Sequence, residues 1–448
     1  MLSAFSNTFK IKELRQRIMF TCGLLFICRL ISIIPTPGID ASALRAFMDS
    51  MAAKAGGGFF GLYDLFSGGA LRNGAVGFLG IMPYISASII FQLMTAVIPA
   101  LGRLAREGDA GRAKLTQYQR YATVLLCLIQ SFAMANALLH PERLGIPGGA
   151  QFVSSSITPL GFIALTMITM TTGTLLLMWL GEQMTERGIG NGISMIITVN
   201  VVSRLPGAIF QFGNMVKTGQ YNVFHIICFL AMMLIVIAAV VAMTQAVRKI
   251  PVQYAKRVVG NKSMGGGNTF MPLRVNYSGV MPIIFAQAIL MLPNQVLRFI
   301  PGYFAKQFAA MFAVGSPVYM TVYGLMILFF SYFWVATQFN PVQIADDLKK
   351  HGGYVPGIRP GKPTADYLDS TMSRITLAGA VFLTIIATLP MVLGAQFNVP
   401  FTIASFFGGT SLLIIVGVML DTMRQVESHL LMRHYDGFLK KGKLRSRR

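Results

Sequence analysis

Charged side chains are scarce in this sequence. They make up 12% of its 448 residues, about half of the roughly 25% that is usual in soluble domains. Hydrophobic residues account for 54% of the chain, so water cannot be its main solvent. The composition predicts a membrane protein.

Long apolar runs recur along the chain. Each is long enough to cross the ~30 Å hydrocarbon core of a bilayer as a helix. Ten transmembrane helices are predicted, at 18–34, 75–98, 121–139, 158–180, 189–210, 223–243, 278–297, 318–339, 375–393 and 403–420.

Carboxylates are absent from the interior of these predicted helices. We place all sixteen acids in loops, tails or helix ends, whereas a gradient-driven transporter usually keeps an ionisable group near the bilayer midplane. We identify Arg29 as an internal charge of a predicted span, and its position near the far end predicts that it snorkels to the interface. The pattern favours a passive pore or a scaffold over a secondary transporter.

Cysteine and the motifs of metal and nucleotide chemistry are also missing or rare. The four cysteines fall in apolar stretches without metal or disulfide spacing, and they are read as small core residues (Cys22, Cys28, Cys127 and Cys228). No H-E-x-x-H, G-x-S-x-G or P-loop pattern occurs. The sequence therefore predicts a protein that is not an enzyme and holds no metal or cofactor.

The distribution of lysine and arginine orients the predicted helices. Basic residues remain on the cytosolic side of short loops, and most of the 38 fall on one side when alternate segments are compared. Both ends of the chain are therefore predicted to be cytosolic. The first apolar run is predicted to be retained, because Arg29 interrupts it and no A-x-A-like cleavage site follows.

The net charge of +22 is explained by the enrichment of basic residues in cytosolic loops, where they face anionic lipid. Two predicted cytosolic segments, 244–277 and 340–374, are nevertheless longer than a turn requires and hold basic clusters. They predict docking of a large anionic partner, either RNA or an acidic protein surface.

A short apolar segment from Phe59 to Leu71 precedes the second predicted span. Its Gly68-Gly69 pair breaks helix continuity and allows a hinge. The residues alone are compatible with a re-entrant helix or with an ordinary interfacial loop.

Two isoleucine pairs lie one helical turn apart, Ile81 with Ile85 and Ile193 with Ile197. Residues at i and i+4 share a helix face, and β-branched side chains are stiff. The pairs suit a stiff apolar collar or ordinary helix packing. Three glycines within five residues, at 188, 190 and 192, allow close backbone approach at the start of the second pair's helix.

The two long basic segments have different local patterns. Strand-like residues around a glycine run at 265–267 predict a projecting hairpin. Residues 355–361 form a Pro/Gly-rich turn that presents Arg359, and a guanidinium on a rigid turn binds carboxylate or phosphate in a bidentate manner.

Six segments together resemble the SecY/Sec61-alpha family of protein-conducting channel subunits. They are Phe-Ser-Gly-Gly-Ala-Leu at 66–71, residues 80–88, Gly-Glu-Gln-Met-Thr-Glu-Arg-Gly-Ile-Gly-Asn-Gly-Ile-Ser at 181–194, Tyr-Ala-Lys-Arg at 254–257, Val-Pro-Gly-Ile-Arg-Pro-Gly at 355–361 and residues 407–414. The resemblance extends from about Ile11 to Leu439.

This resemblance implies an all-α polytopic fold in which two inverted five-helix halves surround an hourglass pore with a short re-entrant plug helix. The halves would span 1–211 and 223–420, with an external hinge at 212–222 and a cytosolic basic tail at 421–448. The implied function is a protein-conducting channel in the cell inner (plasma) membrane. It would pass unfolded secretory polypeptides across and release membrane segments sideways into lipid.

The resemblance also assigns roles to individual residues. The pore ring would be Ile81, Ile85, Ile193, Ile197, Ile284 and Ile414. The plug would contain Leu65, Phe66, Ser67, Gly68 and Gly69. The lateral gate, between helices 2 and 3 on one side and 7 and 8 on the other, would have Gln92 and Gln287 as polar contacts. Lys256, Arg257 and Arg359 would dock partners.

The implied partners include the SecA ATPase or the ribosome, which would drive the polypeptide through the channel in one direction. SecE would clamp the two halves together, and SecG would lie alongside. Signal peptides, nascent chains and anionic lipids complete the set. The chain departs from some relatives at Asn261-Lys262, where those carry an arginine pair. Weaker partner docking at the hairpin is the expected consequence.

Overall fold

Helices form most of this protein. The computed structural model describes residues 11–53, 58–141, 152–153, 157–219, 221–254, 257–259, 262–264, 268–299, 307–308, 311–312, 315–396, 403, 406 and 409–441. The helices up to the first long connection are α1 (Lys12–Ile31), α2 (Ala41–Ala53), α3 (Gly58–Ser67), α4 (Ala70–Asn73), α5 (Met82–Val97), α6 (Pro99–Arg106), α7 (Asp109–Leu139), α8 (Pro159–Arg187), α9 (Gly192–Val202) and α10 (Leu205–Lys217).

The second part of the chain adds helices and a small amount of strand. Its helices are α11 (Val223–Gln245), α12 (Met281–Phe299), α13 (Pro317–Gln338), α14 (Pro341–Lys350), α15 (Lys362–Gln396) and α16 (Thr410–Lys441). Its strands are β1 (Val247–Tyr254), β2 (Arg257–Val259), β3 (Lys262–Met264), β4 (Asn268–Arg274) and β5 (Gly353–Tyr354).

Six helical stretches in the described part of the chain are long and apolar enough to cross a membrane. They are α7, α8, α9 with α10, α11, α13 with α14, and the part of α15 up to Leu389. The pair α5 and α6 brings the number to seven if it is counted as one span. These correspond to the predicted spans 2 to 6, 8 and 9.

The other three predicted spans are helical but do not meet that standard. Helix α1 has basic residues in its first turns and Arg29 near its end. The apolar part of α12 extends only from Met281 to Met291. The last predicted span begins at Ile403, and residues 404, 405, 407 and 408 lie outside the described ones. The structure therefore supports the count of ten only in part.

The second predicted span is wrong in its first third. Residues 75–81 form turns, and helix α5 begins at Met82 with Pro83 in its first turn. Gly80 has φ +60°, a left-handed conformation that glycine adopts without strain. At the other end, α5 and α6 meet at a bend of 105°, because Pro99 cannot continue the hydrogen-bond pattern of α5.

Other predicted boundaries change as well. Helix α9 begins at Gly192, and the fifth span is divided into α9 and α10 at Ser203-Arg204. Helix α10 continues to Lys217 and therefore covers the first part of the predicted 212–222 hinge. Similarly, α8 continues through most of the segment that the sequence placed in a loop at 181–188.

The predicted hairpin is present. Strand β1 pairs antiparallel with β4, from Val247 opposite Arg274 to Gln253 opposite Asn268. Ile250 and Val252 alternate with exposed residues along β1 and are buried, as expected for a strand with one face on a core. The expectation of an all-α fold therefore holds for the membrane helices and not for this loop.

The hairpin and the second basic loop belong to one sheet, which the sequence did not predict. Strand β1 also pairs with β5, Gln253 opposite Tyr354 and Tyr254 opposite Gly353. Their side chains meet as well, since the Tyr354 hydroxyl donates to Gln253 Oε1 at 2.9 Å. The inner face of this sheet packs on the adjacent ends of α13 and α15, through a cluster that includes Ile250, Leu273, Val335 and Leu368.

One hydrophobic core runs through the bundle from α1 to α16. Helix α9 is central in it, because it contacts α1, α3, α8 and α16. Helix α5 contacts α7, α8 and α12, while α12 contacts α13 and α13 contacts α15. Helices that are far apart in the sequence therefore meet in this core.

Candidate functional site

The first isoleucine pair stands at the beginning of α5. Ile81 occupies the N-cap position, and the Ile85 N–H donates to the Ile81 carbonyl at 3.1 Å. Both side chains are buried. The pair is therefore one turn apart, as the sequence predicted, although Ile81 precedes the helix rather than lying inside it.

The second pair stands at the beginning of α9. Asn191 caps this helix, with its side-chain oxygen accepting from the N–H groups of Ile193 (3.1 Å) and Ser194 (3.2 Å). Ile197 is buried, and Ile193 is partly buried and packs against the same core. The cap fixes where α9 begins and therefore where both isoleucines lie.

The glycines before this pair permit a close approach of α9 to α8. A Cβ atom on Gly192 would overlap the Gly181 carbonyl oxygen and would lie 2.7 Å from the Met184 Cβ. Gly190 has φ +83°. The predicted close backbone approach is confirmed, and it brings the start of α9 against the end of α8.

Replacing Gly192 with alanine is expected to destabilise the protein by roughly 1–3 kcal/mol, because the backbone has no room to accommodate the methyl group. Gly207 in α10 is a matched control, since a Cβ there would meet no atom within 4 Å. Gly207→Ala is expected to be neutral or to stabilise by ~0.5–1 kcal/mol. The midpoint of thermal unfolding in detergent measures both, and equal midpoints for the two variants would contradict the close contact.

The remaining predicted ring residues come from the second part of the chain. Ile284 is in the first turns of α12 and Ile414 in those of α16, and both are buried. All six isoleucines belong to the same hydrophobic core. This core therefore includes predicted ring residues that are up to 333 positions apart in the sequence, from Ile81 to Ile414.

Helix α3 and the Gly68-Gly69 break pack directly beside the first isoleucine pair. A Cβ on Gly80 would lie 3.2 Å from the Ser67 Cα, and the Tyr63 hydroxyl donates to the Leu79 carbonyl at 3.3 Å. Leu65, Phe66 and Ser67 are buried. The segment predicted as a plug is thus a short helix seated in the core.

The two glycines form the predicted hinge. Gly68 has φ +67° and Gly69 has φ +90°, and helix α4 follows at Ala70. A Cβ on Gly68 would collide with the Arg29 guanidinium and the Asn200 amide. Glycine is required here by both the backbone conformation and the side chains that surround it.

One prediction about charge is wrong at this point. Asp64 lies in the last turn of α3, which agrees with the predicted helix-end position, but it is 1% exposed and forms an ion pair with Arg204. Arg29 does not snorkel, since its Nη1 donates inward to the Gly68 carbonyl at 2.9 Å and to Asn200 Oδ1 at 3.4 Å. Arg29 therefore has hydrogen-bond partners inside the bundle, which its position in the sequence could not reveal.

Asn200 and Arg204 are residues that sequence reasoning missed. Both belong to the α9–α10 region, and their partners lie more than 130 positions earlier in the chain. The available signals were Arg29, an isolated charge within an apolar run, and Arg204 itself, which lies inside the predicted span 189–210 and was not recognised there. Such a charge indicates a partner without identifying it.

The predicted gate glutamines lie on two helices in contact, Gln92 on α5 and Gln287 on α12. Gln287 is fully buried, and its Nε2 donates to Thr410 Oγ1 at 3.5 Å. Within the described part of the chain, the Oε1 atoms of both glutamines are buried without a hydrogen-bond partner. The helices meet as predicted, but no hydrogen bond joins the two glutamines in this structure.

A polar cavity of about 510 Å³ opens beside α9 and the beginning of α12. Its lining includes Asn191, which caps the helix of the second isoleucine pair, and Asn276, whose buried Nδ2 has no partner among the described residues. The cavity therefore lies on the side of the isoleucines where the strand-bearing loop joins α12.

Arg359 projects from a turn with a buried base. Val355-Pro356-Gly357-Ile358 closes with the Ile358 N–H donating to the Val355 carbonyl at 3.1 Å, and Gly357 has φ +83°, as in a type II turn. Val355 is buried in the cluster below the sheet, and the Arg359 side chain is exposed. The structure therefore places Arg359 on a turn, as the sequence predicted, and its role in docking stays a prediction.

The other predicted docking residues are only partly described. Lys256 and Asn261 lie outside the described residues, while Arg257 is in β2 and Lys262 in β3, which pair antiparallel. Tyr254, two residues before Lys256, pairs with Gly353. The hairpin and the Arg359 turn therefore start from neighbouring strands of one sheet.

Side chains of the types that bind metal ions, including four cysteines, occur in the described part of the chain. In the described ranges, no group of three or more His, Cys, Asp or Glu residues is placed to hold a metal ion. The cysteines are free, with Cys28 and Cys127 buried and Cys22 and Cys228 exposed. The expectation that all four are core residues is therefore right for two of them.

Comparison with known proteins gives consistent matches over almost the whole chain. A family model described as SecY matches residues 76–423. The chain is 43% identical over 459 residues to a protein of Chlamydia muridarum described as protein translocase subunit SecY, with 100% of both chains covered.

Solved structures show the same fold. One described as the structure of a protein conducting channel superposes with a TM-score of 0.63 at 20% identity, covering 92% of this chain and 91% of that one. A second, described as Sec61 in the canine ribosome-channel complex from the endoplasmic reticulum, gives a TM-score of 0.59 at 18% identity, with the same coverage.

Proposed function

Since the chain belongs to the SecY family of protein translocase subunits, we propose that it is a protein-conducting channel gated by its isoleucines and by helix α3. It is a multi-pass membrane protein, and relatives of this family are channel subunits rather than enzymes. The observation that carries the gating proposal is that six isoleucines at the beginnings of α5, α9, α12 and α16 belong to one core, in which α5 contacts α12 and α9 contacts both α16 and α3.

The isoleucines form a pore ring. A growing chain must pass through the membrane while ions do not, and an apolar constriction excludes ions by dewetting. Side chains without polar atoms close around varied residues and bind none of them strongly. The ring acts as a barrier and catalyses no reaction, so its function requires only that its side chains are apolar. These are Ile81, Ile85, Ile193, Ile197, Ile284 and Ile414.

Helix α3 acts as the plug on the external side of the ring. Its packing against Gly80, immediately before Ile81, supports this position. The hinge at Gly68-Gly69 allows the helix to move while α4 remains in place. Entry of a substrate displaces the plug, with no nucleotide bound by this subunit.

The contact between α5 and α12 is the lateral gate. When these helices separate, an apolar signal sequence reaches lipid, a transfer worth ~0.8 kcal/mol per CH₂ group. Gln92 and Gln287 each have a buried oxygen without a partner in the described residues. Unpaired polar groups make the closed gate less stable than an all-apolar contact would be, which suits a gate that must open.

Partner proteins determine the direction in which the polypeptide moves through the channel. SecA or the ribosome docks at Lys256, Arg257 and Arg359, while SecE clamps the halves 1–211 and 223–420 and SecG lies alongside. The Sec61 relative was described in a complex with a ribosome, which supports docking of this kind. The 421–448 tail and both ends are cytosolic, near anionic lipid of the inner (plasma) membrane.

A secondary transporter is the main rival. It would need an ionisable group that changes its protonation or its bound ion during transport. Asp64 is the one fully buried acid among the described residues, and it is paired with Arg204 and accepts from the Arg72 N–H at 3.1 Å. A carboxylate neutralised in this way supports a structural role.

Transport in vesicles is the direct test. The chain is reconstituted with SecE and SecG, then supplied with SecA, ATP and an unfolded substrate that carries a signal sequence. We expect the substrate to become protected from external protease, and we expect no protection when the signal sequence is deleted or SecA is omitted. Uptake of small solutes without protection of the polypeptide would favour the transporter.

A further inference from the structure

A buried network of charges and hydrogen bonds surrounds the end of helix α3. Asp64 within α3 pairs with Arg204 at the N-terminus of α10. Arg29 of α1 donates to the Gly68 carbonyl, and Asn200 of α9 donates through Nδ2 to the Phe66 carbonyl at 2.8 Å. Three separate elements thus hold one short helix.

The carboxylate of Asp64 has several partners. One oxygen accepts from the Arg204 guanidinium and the other from the Arg72 N–H in α4. The Asp64 carbonyl in turn accepts from the Gly69 N–H at 3.0 Å. Asp64 therefore links α3 both to the bundle and to the segment beyond the Gly68-Gly69 hinge.

The end of α3 is satisfied by side chains from other helices. The last carbonyls of a helix have no partner within it. Here the Phe66 and Gly68 carbonyls receive Asn200 and Arg29. A short helix with few contacts of its own is held in place by donors that belong to α1 and α9.

Displacement of α3 would break these contacts together. Asp64 is 1% exposed and Arg204 is 24% exposed, and separating a buried pair leaves each charge without its partner. Neither arginine lies on α3, so both would remain behind. The free energy that keeps α3 in its packed position thus depends on these polar pairs as well as on apolar packing.

We propose that Asp64, together with Arg204, Arg29 and Asn200, is a latch that sets the equilibrium between the seated and the displaced plug. This latch rests on the proposed channel function and deepens it, because it names the residues that regulate the gate. The isoleucine ring limits ion flow around the plug, and the latch determines how often the plug is away.

Resting ion conductance of the full complex in vesicles tests the latch. Asp64→Asn and Arg204→Gln are each expected to raise it at least about tenfold, because each leaves one buried charge unpaired. The double variant is expected to leak less than the two single effects predict when multiplied, since it removes both charges of one pair. Multiplicative effects would show that the residues act independently and would overturn the latch.

Asn200→Ala provides a second, milder test. It changes no charge and leaves the Phe66 carbonyl without its donor, so a rise of about fivefold is expected. It remains informative if an unpaired charge keeps either single variant from reaching the membrane. The matched control is Glu182→Gln, which breaks the Arg120–Glu182 ion pair between α7 and α8 and should leave the conductance unchanged.

The outcomes separate the latch from the channel function. Wild-type conductance in Asp64→Asn, Arg204→Gln and Asn200→Ala, measured beside ring variants that leak, would overturn the latch alone. If the ring variants also fail to leak, the proposed channel function is overturned and the latch with it.

Discussion

Replacing Ile81, Ile85 and Ile414 with serine is expected to raise the resting ion leak of reconstituted vesicles by at least about tenfold. Serine places hydroxyl groups where the constriction is otherwise apolar, and water and ions then enter a passage that dewetting had closed. The change also removes volume from three sides of the ring. Single-channel conductance of the complex measures the effect directly.

The controls for this variant come from immediate sequence neighbours of ring residues. Ile196, Ile283 and Leu413 are all buried at 1% exposure or less, and each is adjacent to a ring residue but on a different face of its helix. Serine at these three positions costs the core a comparable amount of apolar burial. An equal leak in both triple variants would mean that a weakened core, and not an opened ring, conducts the ions.

Replacing Arg359 with glutamate is expected to abolish SecA-driven export while the chain itself still inserts into the membrane. The side chain is exposed on a turn whose base is the buried Val355, so the substitution removes a docking contact without disturbing the core. A carboxylate at this position also repels an acidic partner surface. The measurement is ATP-dependent protection of a secretory substrate in vesicles.

Two further variants refine this prediction. Arg359→Lys keeps the charge but loses the planar fork of donors, so export is expected to fall partially if the contact is bidentate. Lys362→Glu changes charge by the same amount at an exposed position three residues later, and export should persist. Normal export by Arg359→Glu would remove this residue from the docking surface.

The gating proposals place opposite demands on neighbouring residues. The proposed ring depends on side chains that form no polar contacts, whereas the proposed plug is held by a buried ion pair and by hydrogen bonds from other helices. This division has a physical reason. An apolar collar reseals around any substrate, but it has little directional preference, and only polar pairs specify one seated position for a short helix.

Sequence reasoning identified those features that depend on local chemistry. Hydropathy located the spans that became α7, α8, α11, α13 and α15, because a helix in lipid must satisfy its own backbone and be apolar over its length. The Pro-Gly pattern predicted the turn at Val355–Ile358, and the Gly68-Gly69 pair predicted the hinge, since both conformations follow from the residues themselves.

Predictions failed where the local conformation or strand pairing depends on contacts with residues that are distant in the sequence. Hydropathy extended the second span back to residue 75, although Gly80 turns the chain so that Ser67 packs against it. The pairing of β1 with β5 joins two loops about a hundred positions apart. Nothing in either loop specifies the other, because register is set by the packing of α13 and α15 beneath them.

The sequence by itself determined that this protein belongs in a membrane, where most of its spans lie, and which family its motifs resemble. These follow from transfer free energies and local conformational preferences, which are properties of short segments. Only the tertiary structure decided what its few interior charges do. Arg29, Asp64 and Arg204 are spread over 175 positions of the sequence, but in the folded protein all three lie around the end of α3, where Asp64 pairs with Arg204 and Arg29 binds the Gly68 carbonyl. A buried charge is stable only beside such partners.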